Sequence, residues 1–500
     1  MTVLKKPSST FQLKGKDPFW HAIHKREVKI VGLKLDSNGT KKNTSDPVTD
    51  QVTDFISKGG PGDKYLGGGK VDMSSWFKKE NLVILEDQIR DGTLPFFCAA
   101  PFQMVYTTTR GEYAPCSWVQ EGFNPNIKDV SILKYFKDNA NLNELRREMT
   151  TPGDPLTLAK KWCKNCRYQE KHYGRSRRQA SLKIQSNDRG LWPGIRRAVE
   201  EWKKTGQGFL GDRILEIQIK AFGNKCNLDC YMCVPYDSST RLKSIHSKEL
   251  KGEKVFSDYA KTPIASMTKR TLTSIVDQVA ELAPYIYNLK FIGGEPLVMK
   301  NFYEMLDAIV KTGHAKHMFV KYQTNMSVVE FERIKITDYI PHFKNFEFTV
   351  SLDGIGKWDE YIRRRTNFKE IENNIRVVKK YPNVTVNVNG TISFLSVLKF
   401  YKLIEWFNDN KKLFFQVNWS NIRGPIKLCA NVLPDKLKQE LIPKYEGFPD
   451  IQNVLKEDNH GLDYKDTIEY LLMNDKYYKG TKWEMELFDV FPELKPYWKE

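Results

Sequence analysis

The 500-residue sequence predicts an α/β protein built on an open, partial (β/α)6 TIM-like barrel. Three observations lead to this prediction. Six short apolar runs, each of the length of one strand, recur between residues 212 and 425, and stretches with apolar residues at helical spacing separate them. Strands that alternate with helices pair in parallel through right-handed crossovers. Six units are fewer than a closed eightfold barrel needs, so we expect the barrel to stay open.

Each predicted strand is a short apolar run. In chain order the runs are ILEIQIK (214–220), IYNLKFI (286–292), MFVKYQT (318–324), FEFTVSL (346–352), VTVNVNGTI (384–392) and FFQVNW (414–419). Helices are predicted between them in TKRTLTSIVDQVAELA, NFYEMLDAIVKTG, NFKEIENNIRVVKKY and LSVLKFYKLIEWFN. In such folds the reactive groups gather at the carboxyl ends of the strands, so we expect the functional residues just after these runs.

Changes in composition divide the chain into four predicted segments. They are a polar N-terminal region (1–80), an irregular cysteine-rich module (81–211), the partial barrel (212–425) and a helical C-terminal extension (426–500). In the first segment, SKGGPGDKYLGGGK (57–70) is typical of a flexible hinge. The second holds four of the eight cysteines and shows little periodicity, which favours a region that a bound metal helps to fold.

The composition is that of a globular protein, with 40% hydrophobic and 28% charged residues. No apolar run approaches the roughly 20 residues of a membrane span, and residues 1–20 lack the apolar core of a secretory signal. We therefore expect a cytoplasmic protein with reduced cysteines and no membrane partner. The net charge of +18 favours anionic partners and does not exclude nucleic acid; the tightest basic patch is YGRSRRQ (173–179). A zinc- or iron–sulfur-containing nucleic-acid-binding protein is the alternative to an enzyme.

Three cysteines follow the first predicted strand in CNLDCYMC: Cys226, Cys230 and Cys233. Their odd number and the reducing compartment argue against a disulfide knot. The spacing suits a short loop around one iron–sulfur cluster, with each thiolate on a different iron. Zinc would need a fourth ligand, and the closest histidine, His246, lies thirteen residues beyond Cys233. The spacing alone leaves both metals open.

The pattern C-x-x-x-C-x-x-C after the first strand of a parallel barrel resembles the radical SAM superfamily. The resemblance implies a [4Fe–4S] cluster held by these three cysteines, whose open fourth iron S-adenosylmethionine (SAM) chelates through its amino and carboxylate groups. An external one-electron reductant, flavodoxin- or ferredoxin-like, would drive cleavage of SAM to methionine and a 5′-deoxyadenosyl radical that abstracts hydrogen from a substrate. The substrate is unidentified; the resemblance suggests a peptide or a sugar-like molecule, and the basic charge favours an anionic one.

A second motif, FIGGEP, ends the second predicted strand and is similar to the GGE motif of the family. Gly293 and Gly294 allow the backbone to approach a ligand closely, and Pro296 ends the strand. The resemblance implies that Glu295 faces the amino group of SAM. A tight strand-to-helix turn would explain the glycines and the proline but has no need for the glutamate.

Two further strand ends carry candidate cofactor-binding residues. In SLDGIGKWDEYIRR, the resemblance implies that Ser351 and Arg363 bind the SAM carboxylate, to which the fork of an arginine is well suited. YQTNMS resembles the TNG motif of the family, with Met326 in place of glycine, and this implies that Thr324 and Asn325 lie near the ribose.

For several residues around these motifs, the sequence also predicts a role or a position in the fold. Asp353 is expected to cap the following helix or turn, and Arg364 to belong to a solvated charged face. Within the cysteine loop, Tyr231 is expected to screen the cluster or the adenine. On the last predicted strand, Gln416 and Asn418 are candidates to line the substrate cavity; Trp419 is a further candidate, for which core packing is the alternative.

Four cysteines precede the barrel: Cys98 and Cys116 flank a hairpin predicted around Gly111, and Cys163 and Cys166 form a C-x-x-C knuckle. Four thiolates would close a metal site, and their spacing does not separate zinc from iron–sulfur. The pattern resembles the SPASM/Twitch modules of some radical SAM enzymes, the shorter Twitch version above all, and implies an auxiliary [4Fe–4S] cluster. Such modules usually follow the barrel, whereas these cysteines precede it.

Overall fold

A computed structural model of the chain describes residues 84–499, apart from 120–122, 174–175, 188–190, 248, 251–266, 423 and 460. The predicted N-terminal region (1–80) and its hinge lie outside the described residues. The chain divides into two compact units. The first comprises residues up to Thr108, Glu112–Ile217 and Pro284–Tyr287, and the second comprises Thr109–Gly111, Gln218–Ala283 and the chain from Asn288 onwards.

The first unit is mainly helical. Its helices are α1 (Ile84–Arg90), α2 (Ala100–Gln103), α3 (Ile132–Asp138), α4 (Ala140–Thr150), α5 (Thr157–Trp162), α6 (Lys164–Tyr173), α7 (Arg177–Asn187) and α8 (Leu191–Thr205). Its strands are β1 (Met104–Thr107), β2 (Glu112–Ala114) and β3 (Phe123–Asn126). β1 and β2 pair antiparallel, which confirms the predicted hairpin. Apolar side chains of α1, α2 and α8, among them Ile89, Phe102 and Trp192, form the core of this unit.

The second unit contains the predicted barrel strands and further helices. Its strands are β4 (Leu215–Ile219), β5 (Asp229–Cys230), β6 (Ile286–Phe291), β7 (Phe319–Thr324), β8 (Glu330–Phe331), β9 (Ile334–Lys335), β10 (Asn345–Ser351), β11 (Arg363–Arg364), β12 (Val384–Ile392) and β13 (Gln416–Asn421), of which β4 and β6 begin in the first unit. Its helices are α9 (Ser239–Ile245), α10 (Lys269–Glu281), α11 (Lys300–Lys311), α12 (Lys357–Ile362), α13 (Phe368–Val378), α14 (Phe400–Asp409), α15 (Asp435–Leu441), α16 (Pro449–Lys456), α17 (Tyr464–Tyr478), α18 (Leu487–Val490) and α19 (Lys495–Lys499). None of the described helices is long and apolar enough to cross a bilayer.

The long strands of this unit follow one another in the order β4-β6-β7-β10-β12-β13. The four pairs from β6 to β13 are parallel. All six strands coincide with the predicted runs, and α10, α11, α13 and α14 occupy the predicted helical stretches between them. The α/β class and the parallel sheet are therefore confirmed, and the carboxyl ends of β6, β7, β10, β12 and β13 lie at the same edge of the sheet.

The two faces of this sheet differ in polarity. Along β10, Phe346, Phe348 and Val350 are fully buried, whereas the residues between them are polar and partly exposed. The apolar face receives helix side chains; Phe302 of α11, for example, packs edge-on against Phe291 of β6 with ring centroids 4.6 Å apart. Parallel strands that helices cover on both faces are apolar throughout, so this alternation indicates that helices cover one face only. The polar face is therefore the one available to a ligand.

Candidate functional site

The three cysteines of the loop after β4 are fixed by the start of helix α9. The hydroxyl of Thr240 donates to the carbonyl of Cys226 at 2.6 Å, and that of Ser238 donates to the carbonyl of Leu228 at 3.0 Å. Ser238 also caps α9, because its hydroxyl accepts from the backbone N–H of Arg241. The run of small hydroxyl residues at 238–240 thus begins a helix and holds the loop at the same time.

The loop brings its thiols together in a poorly hydrated setting. Cys230 is buried, and its thiol is hydrogen-bonded to that of Cys233, which together with burial raises the pKa of Cys230 well above its usual range. Burial raises the pKa of Cys226 to about 12, with smaller contributions from Cys230 and Glu295. Buried thiols in the metal-free protein are therefore neutral, and a bound cation would be needed to hold them as thiolates.

The predicted GGE turn lies directly against this loop. The backbone N–H of Glu295 donates to the carbonyl of Lys225 at 2.8 Å. A Cβ at Gly294 would lie 2.2 Å from the same carbonyl oxygen and 2.6 Å from Cε of Met299, and the φ of Gly294 is +46°. Only glycine therefore fits at this position, and the reason is close approach of two backbone segments.

The carboxylate of Glu295 is buried and has three donors. One oxygen accepts from the hydroxyl of Thr324 at 2.7 Å and from the backbone N–H of Leu297 at 3.0 Å, and the other accepts from the backbone N–H of Asn325 at 2.6 Å. Burial nevertheless raises the pKa of Glu295 to about 7, since the three hydrogen bonds only partly offset the loss of hydration. Glu295 therefore joins the ends of β6 and β7, a role that the sequence did not suggest.

The end of β7 also anchors the cysteine loop. The amide of Asn325 donates to the side-chain oxygen of Asn227 at 3.0 Å, and the amide of Asn227 donates to the hydroxyl of Ser327 at 2.7 Å. Met326 is fully buried and has a φ of +54°, a conformation that glycine adopts without strain. The backbone at this position thus keeps the shape expected of the TNG-like motif, although the residue there is methionine.

Arg363 lies beside a cysteine of the loop. Its Nη1 is 3.8 Å from Sγ of Cys230, and its Nε forms an ion pair with Asp353 at 2.7 Å. The backbone determines this proximity, because β11 pairs antiparallel with β5 and places Arg363 opposite Cys230. The positive charge acts on the thiol, since it lowers the pKa of Cys230 against the effect of burial.

The expectation that Asp353 caps the following helix is wrong. Helix α12 begins after Gly356 without any side-chain cap. One oxygen of Asp353 instead accepts from the backbone N–H of Thr391 at 2.6 Å, and the other pairs with Arg363. Asp359 accepts from the backbone N–H of Asp353 at 2.8 Å and completes this buried group. The carboxylate of Asp353 therefore positions Arg363.

The remaining candidates lie along the polar face of the sheet. The hydroxyl of Ser351 accepts from the amide of Gln323 on the neighbouring strand at 3.1 Å. Gln416 and Asn418 lie opposite Asn387 and Asn389 in register, on the face that also carries Ser351. Trp419 belongs to the opposite, apolar face, where its ring packs edge-on against Phe400 and Phe448. The packing alternative for this tryptophan is therefore the one that the structure shows.

The structure contradicts the expectation that Arg364 is solvated, and it shows buried partners for both Arg364 and Tyr231. Arg364 is fully buried instead of solvated, and it pairs with Asp475 of α17 at 2.6 Å. Tyr231 is also buried, and its hydroxyl contacts Arg364 and Asp475 of α17. A run of three arginines and a loop tyrosine gave no local signal of these partners, which lie more than 100 residues away in the chain.

The first unit brings its four cysteines together. The pKa of Cys163 is raised well above its usual range, mainly by burial and then by the thiols of Cys116, Cys98 and Cys166. Burial also raises the pKa of Cys98 to about 12 and that of Cys166 to about 11. None of these cysteines forms a disulfide. The cysteines of the hairpin and of the C-x-x-C knuckle therefore lie near enough to raise the pKa of Cys163, while the auxiliary cluster stays a prediction.

One arginine of the predicted basic patch, Arg178, lies beside this cysteine group. Arg178 is buried, forms a two-point ion pair with Glu170 and donates to the carbonyl of Phe97 at 2.9 Å. Its charge lowers the pKa of the thiols of Cys98 and Cys166 against the effect of burial. This arginine is a further candidate site residue that the sequence did not reveal, since it lay in what looked like a surface charge run.

Neither cysteine group is arranged as a site for a single ion. Across the described residues, no three or more His, Cys, Asp and Glu side chains could hold one metal ion as they stand. Sulfurs around one zinc lie about 4 Å apart, since each is about 2.3 Å from the metal. A four-iron cluster places each thiolate on a different iron, so its ligands lie farther apart.

The loop after β4 fits a four-iron cluster by the chemistry of its donors. Its three thiols are soft ligands of the kind that iron–sulfur clusters take. Arg363 supplies a cation beside them, and the bare backbone of Gly294 keeps side-chain atoms away from the loop. The three-cysteine loop, the GGE turn and Arg363 thus meet at one edge of the sheet.

Comparisons with known proteins agree with this arrangement. Residues 221–394 match the model of the radical SAM superfamily, whereas no curated protein matches the chain. A structure of native anSMEcpe with bound AdoMet is 18% identical over 47% of this chain and 61% of that chain, with a TM-score of 0.32. Streptococcus suis SuiB bound to S-adenosylmethionine is 13% identical over 52% of this chain and 51% of that chain, with a TM-score of 0.29. SuiB bound to precursor peptide SuiA is 13% identical over 60% and 55%, with a TM-score of 0.30.

This chain covers less than two thirds of each of these three solved structures, and TM-scores near 0.3 do not establish a shared fold. The family model, in contrast, begins within the loop that leads to Cys226 and ends after β12. The matched segment contains the cysteine loop, the GGE turn, Ser351 and Arg363. The match to the radical SAM superfamily therefore covers the segment that carries the candidate site, and it supports an enzyme.

Proposed function

We propose that the chain is a radical SAM enzyme that binds a [4Fe–4S] cluster through Cys226, Cys230 and Cys233 and acts on a peptide or sugar-like substrate. The observation that carries the proposal is the position of Arg363, whose Nη1 lies 3.8 Å from Sγ of Cys230. A guanidinium suited to a carboxylate thus stands beside a cluster ligand, where the carboxylate of SAM is expected. A cluster bound by these three cysteines would supply the electron for reductive cleavage of SAM, and Arg363 would hold the SAM carboxylate beside it.

The residues around Arg363 would orient SAM. Arg363 has five N–H donors, of which Asp353 and Cys230 engage only some, so others would bind the carboxylate. Glu295 uses three of roughly four lone-pair directions within the protein and would accept from the amino group with the remaining one. Gly293 and Gly294 let the turn pack against the cysteine loop, because a Cβ at Gly293 would meet Lys220 and one at Gly294 the carbonyl of Lys225, and this packing would keep Glu295 near the cluster. We place Ser351, Thr324 and Asn325 at the rim of this site.

The polar face of the sheet would receive the substrate. Asn387 and Gln416 lie opposite each other on β12 and β13, are almost fully buried, and each has an amide oxygen without a hydrogen-bond partner among the described residues. Buried acceptors nearly always have a hydrogen-bond donor, so we expect a bound molecule or water to donate to the amide oxygens of Asn387 and Gln416. Peptide N–H groups and sugar hydroxyls both supply such donors.

The four cysteines of the first unit would hold an auxiliary [4Fe–4S] cluster. All four thiols are close enough to influence one another, and Arg178 supplies a buried positive charge beside them. Four thiolates with a nearby cation form a closed site, which leaves no iron for SAM. The proposed role is therefore to assist the reaction by accepting an electron or by holding the substrate.

Anaerobic purification tests the proposed function. We expect a brown protein with about eight iron atoms per chain, if both clusters are [4Fe–4S], and release of 5′-deoxyadenosine from SAM under reduction. Colourless protein with stoichiometric zinc would overturn the proposal and favour the nucleic-acid-binding alternative. Protein that contains iron but leaves SAM intact would overturn the proposed reaction alone.

Arg363→Ala is expected to weaken SAM binding about tenfold or more without loss of iron from the loop. Hydrogen bonds to charged groups contribute about 1.5–3 kcal/mol each, which corresponds to a factor of ten or above. Because alanine also leaves Asp353 without its cation, Arg363→Lys serves as a second variant that keeps the charge and loses the fork. Isothermal titration with SAM measures both, and exposed Arg376→Ala is the control. Wild-type affinity in the alanine variant would show that the carboxylate site is elsewhere.

A further inference from the structure

Helix α17 (Tyr464–Tyr478) lies outside the matched radical SAM segment, yet it contacts the cysteine loop through several buried side chains. We propose that α17 is a positioning element for the loop, which holds Cys230 and Arg363 in the register that cluster and SAM binding need. This inference rests on the proposed function for its role in catalysis, whereas the contacts themselves do not depend on it.

Backbone alternation gives the loop two sides. β5 and β11 pair antiparallel, with Cys230 opposite Arg363 and Asp229 opposite Arg364. Successive residues of a strand point to opposite sides, so Cys230 and Arg363 share one side of this short ladder while Asp229 and Arg364 share the other. The first side carries the cluster ligand and the proposed carboxylate ligand. The second side faces α17.

Asp229 is the first attachment point. It is fully buried, and its carboxylate accepts from the hydroxyl of Tyr478 at 2.6 Å and from the hydroxyl of Ser244 at 3.1 Å. Arg241 lies 3.3 Å from the same carboxylate and donates to the side-chain oxygen of Asn474 at 2.6 Å. Two residues of α17 thus hold the residue that directly precedes Cys230.

Tyr231, which directly follows Cys230, is the second attachment point. Its backbone carbonyl accepts from the hydroxyl of Tyr470 at 3.0 Å. Its side-chain hydroxyl contacts Arg364 and lies 3.3 Å from Asp475, which also pairs with Arg364 at 2.6 Å. Helix α17 therefore holds both chain neighbours of a cluster ligand.

The network is charged, buried and paired. Asp229, Arg241 and Arg364 are fully buried, and Asp475 is nearly so, which gives two anions and two cations. Desolvation offsets much of the attraction in such groups, so replacing them with apolar residues often costs little stability. A buried polar network instead restricts its side chains to a single geometry, because any shift leaves a charge or a donor unpaired. Its place around Cys230 is therefore best explained by positioning.

Two variants of the full-length protein test the inference: Tyr478→Phe, which removes the donor to Asp229, and Asp475→Asn, which keeps the shape of the side chain. Tyr464→Phe and exposed Asp466→Asn on the same helix are the matched controls. Hydrogen–deuterium exchange of the peptide 226–236 is the first measurement. We expect exchange to be about five- to tenfold faster in the two variants and unchanged in the controls. Exchange at the wild-type rate in 226–236, or an equal acceleration in the core strand 384–392, would overturn the inference.

The second measurement concerns the cluster. In the reduced wild-type protein, SAM should change the electron paramagnetic resonance spectrum of the loop cluster, and both variants should need about five- to tenfold more SAM for the same change while they keep their iron. An unchanged SAM requirement would limit α17 to packing and overturn its positioning role. If the wild-type protein carries no cluster and binds no SAM, the proposed function fails, whereas the exchange rates of 226–236 still decide whether α17 holds the loop.

Discussion

The buried carboxyl group of Asp359 is expected to make the stability of the fold depend on pH. Its burial, together with the neighbouring Asp353, raises its pKa to about 7, against the attraction of Arg363. The carboxylate accepts a hydrogen bond from the backbone of Asp353 and lies 3.9 Å from Arg363. Because the pKa is raised in spite of a nearby cation, ionisation of Asp359 opposes folding more than the ion pair favours it.

Stability is therefore expected to fall as pH rises from about 4 to about 7. In this interval the folded chain retains a proton on Asp359 that the unfolded chain has lost, so each rise in pH favours unfolding. Asp359→Asn should flatten this dependence and should be more stable than wild type at pH 8, by a few kcal/mol at most, since one pKa unit is worth about 1.4 kcal/mol. Urea unfolding at a series of pH values measures the effect.

Exposed Asp338→Asn is the control for this prediction and should reproduce the wild-type curve. Part of the slope should persist in Asp359→Asn, because burial also raises the pKa of Glu295 to about 7. A variant whose free energy of unfolding depends on pH as steeply as that of wild type would show that Asp359 is already ionised in the folded protein.

The two adjacent arginines at the end of α12, Arg363 and Arg364, show which properties of a residue the sequence can predict and which it cannot. Arg363 was singled out because its distance from Ser351 matches a family motif, and its role on the SAM carboxylate stays a prediction. Arg364 was not singled out, because a run of charged residues is usually a solvated face, and β11 is only two residues long. A strand of two residues has no periodicity, so the sequence cannot show that Arg364 is buried on one side of it while Arg363 lies on the other.

At the scale of elements, the GGE turn and the cysteine loop form one unit of structure. The carbonyl of Lys225 accepts from Glu295, and the same oxygen is the atom that any side chain at position 294 would meet. Asn325 and Asn227 connect the end of β7 to the same loop. Three chain segments therefore depend on one another, although each was identified separately from its own motif.

Gly294→Ala is expected to destabilise the protein by more than 2 kcal/mol and to abolish SAM binding at the loop. The new Cβ would overlap a backbone oxygen at 2.2 Å, so the loop or the turn must move. Gly313→Ala is the matched control, because Gly313 also has a positive φ, +75°, but no atom lies within 4 Å of its Cβ position. It should show only the backbone strain of about 1–2 kcal/mol. Equal losses in the two variants would mean that the turn accommodates the methyl group.

The strands were the most predictable elements. Each predicted run matches an observed strand within a few residues, because alternating apolar side chains need a covered face wherever the chain folds. The function of α17 was not predictable, since the sequence pattern shows only that it is helical. Its partners, such as Asp229 for Tyr478, lie 249 residues away in the chain, and no local pattern reports contacts at that separation.

At the scale of the whole molecule, the two cysteine groups belong to different compact units. We therefore expect them to lose metal independently. Cys230→Ala should abolish SAM cleavage and reduce iron from about eight to about four atoms per chain, whereas Cys163→Ala should cause a similar loss of iron and leave SAM binding intact. Iron analysis and SAM titration after anaerobic reconstitution measure both.

Cys429→Ala is the control for these two variants. Cys429 lies in the second unit, and its thiol donates to the carbonyl of Ile422, so it is expected to keep the full iron content. A single cysteine variant that lost all of its iron would contradict the independence of the two groups. An active Cys230→Ala variant would contradict the ligand assignment itself.

Because α17 follows the cysteine loop at a long distance in the chain, the ribosome synthesises the loop well before the helix that contacts it. A ribosome that adds about 5–20 residues per second needs roughly 12–50 seconds to proceed from Tyr231 to Asp475, which are 244 residues apart. Until then the nascent chain has the loop but not the tyrosines and the aspartate that fix its chain neighbours. The loop therefore acquires these contacts only after α17 has been synthesised.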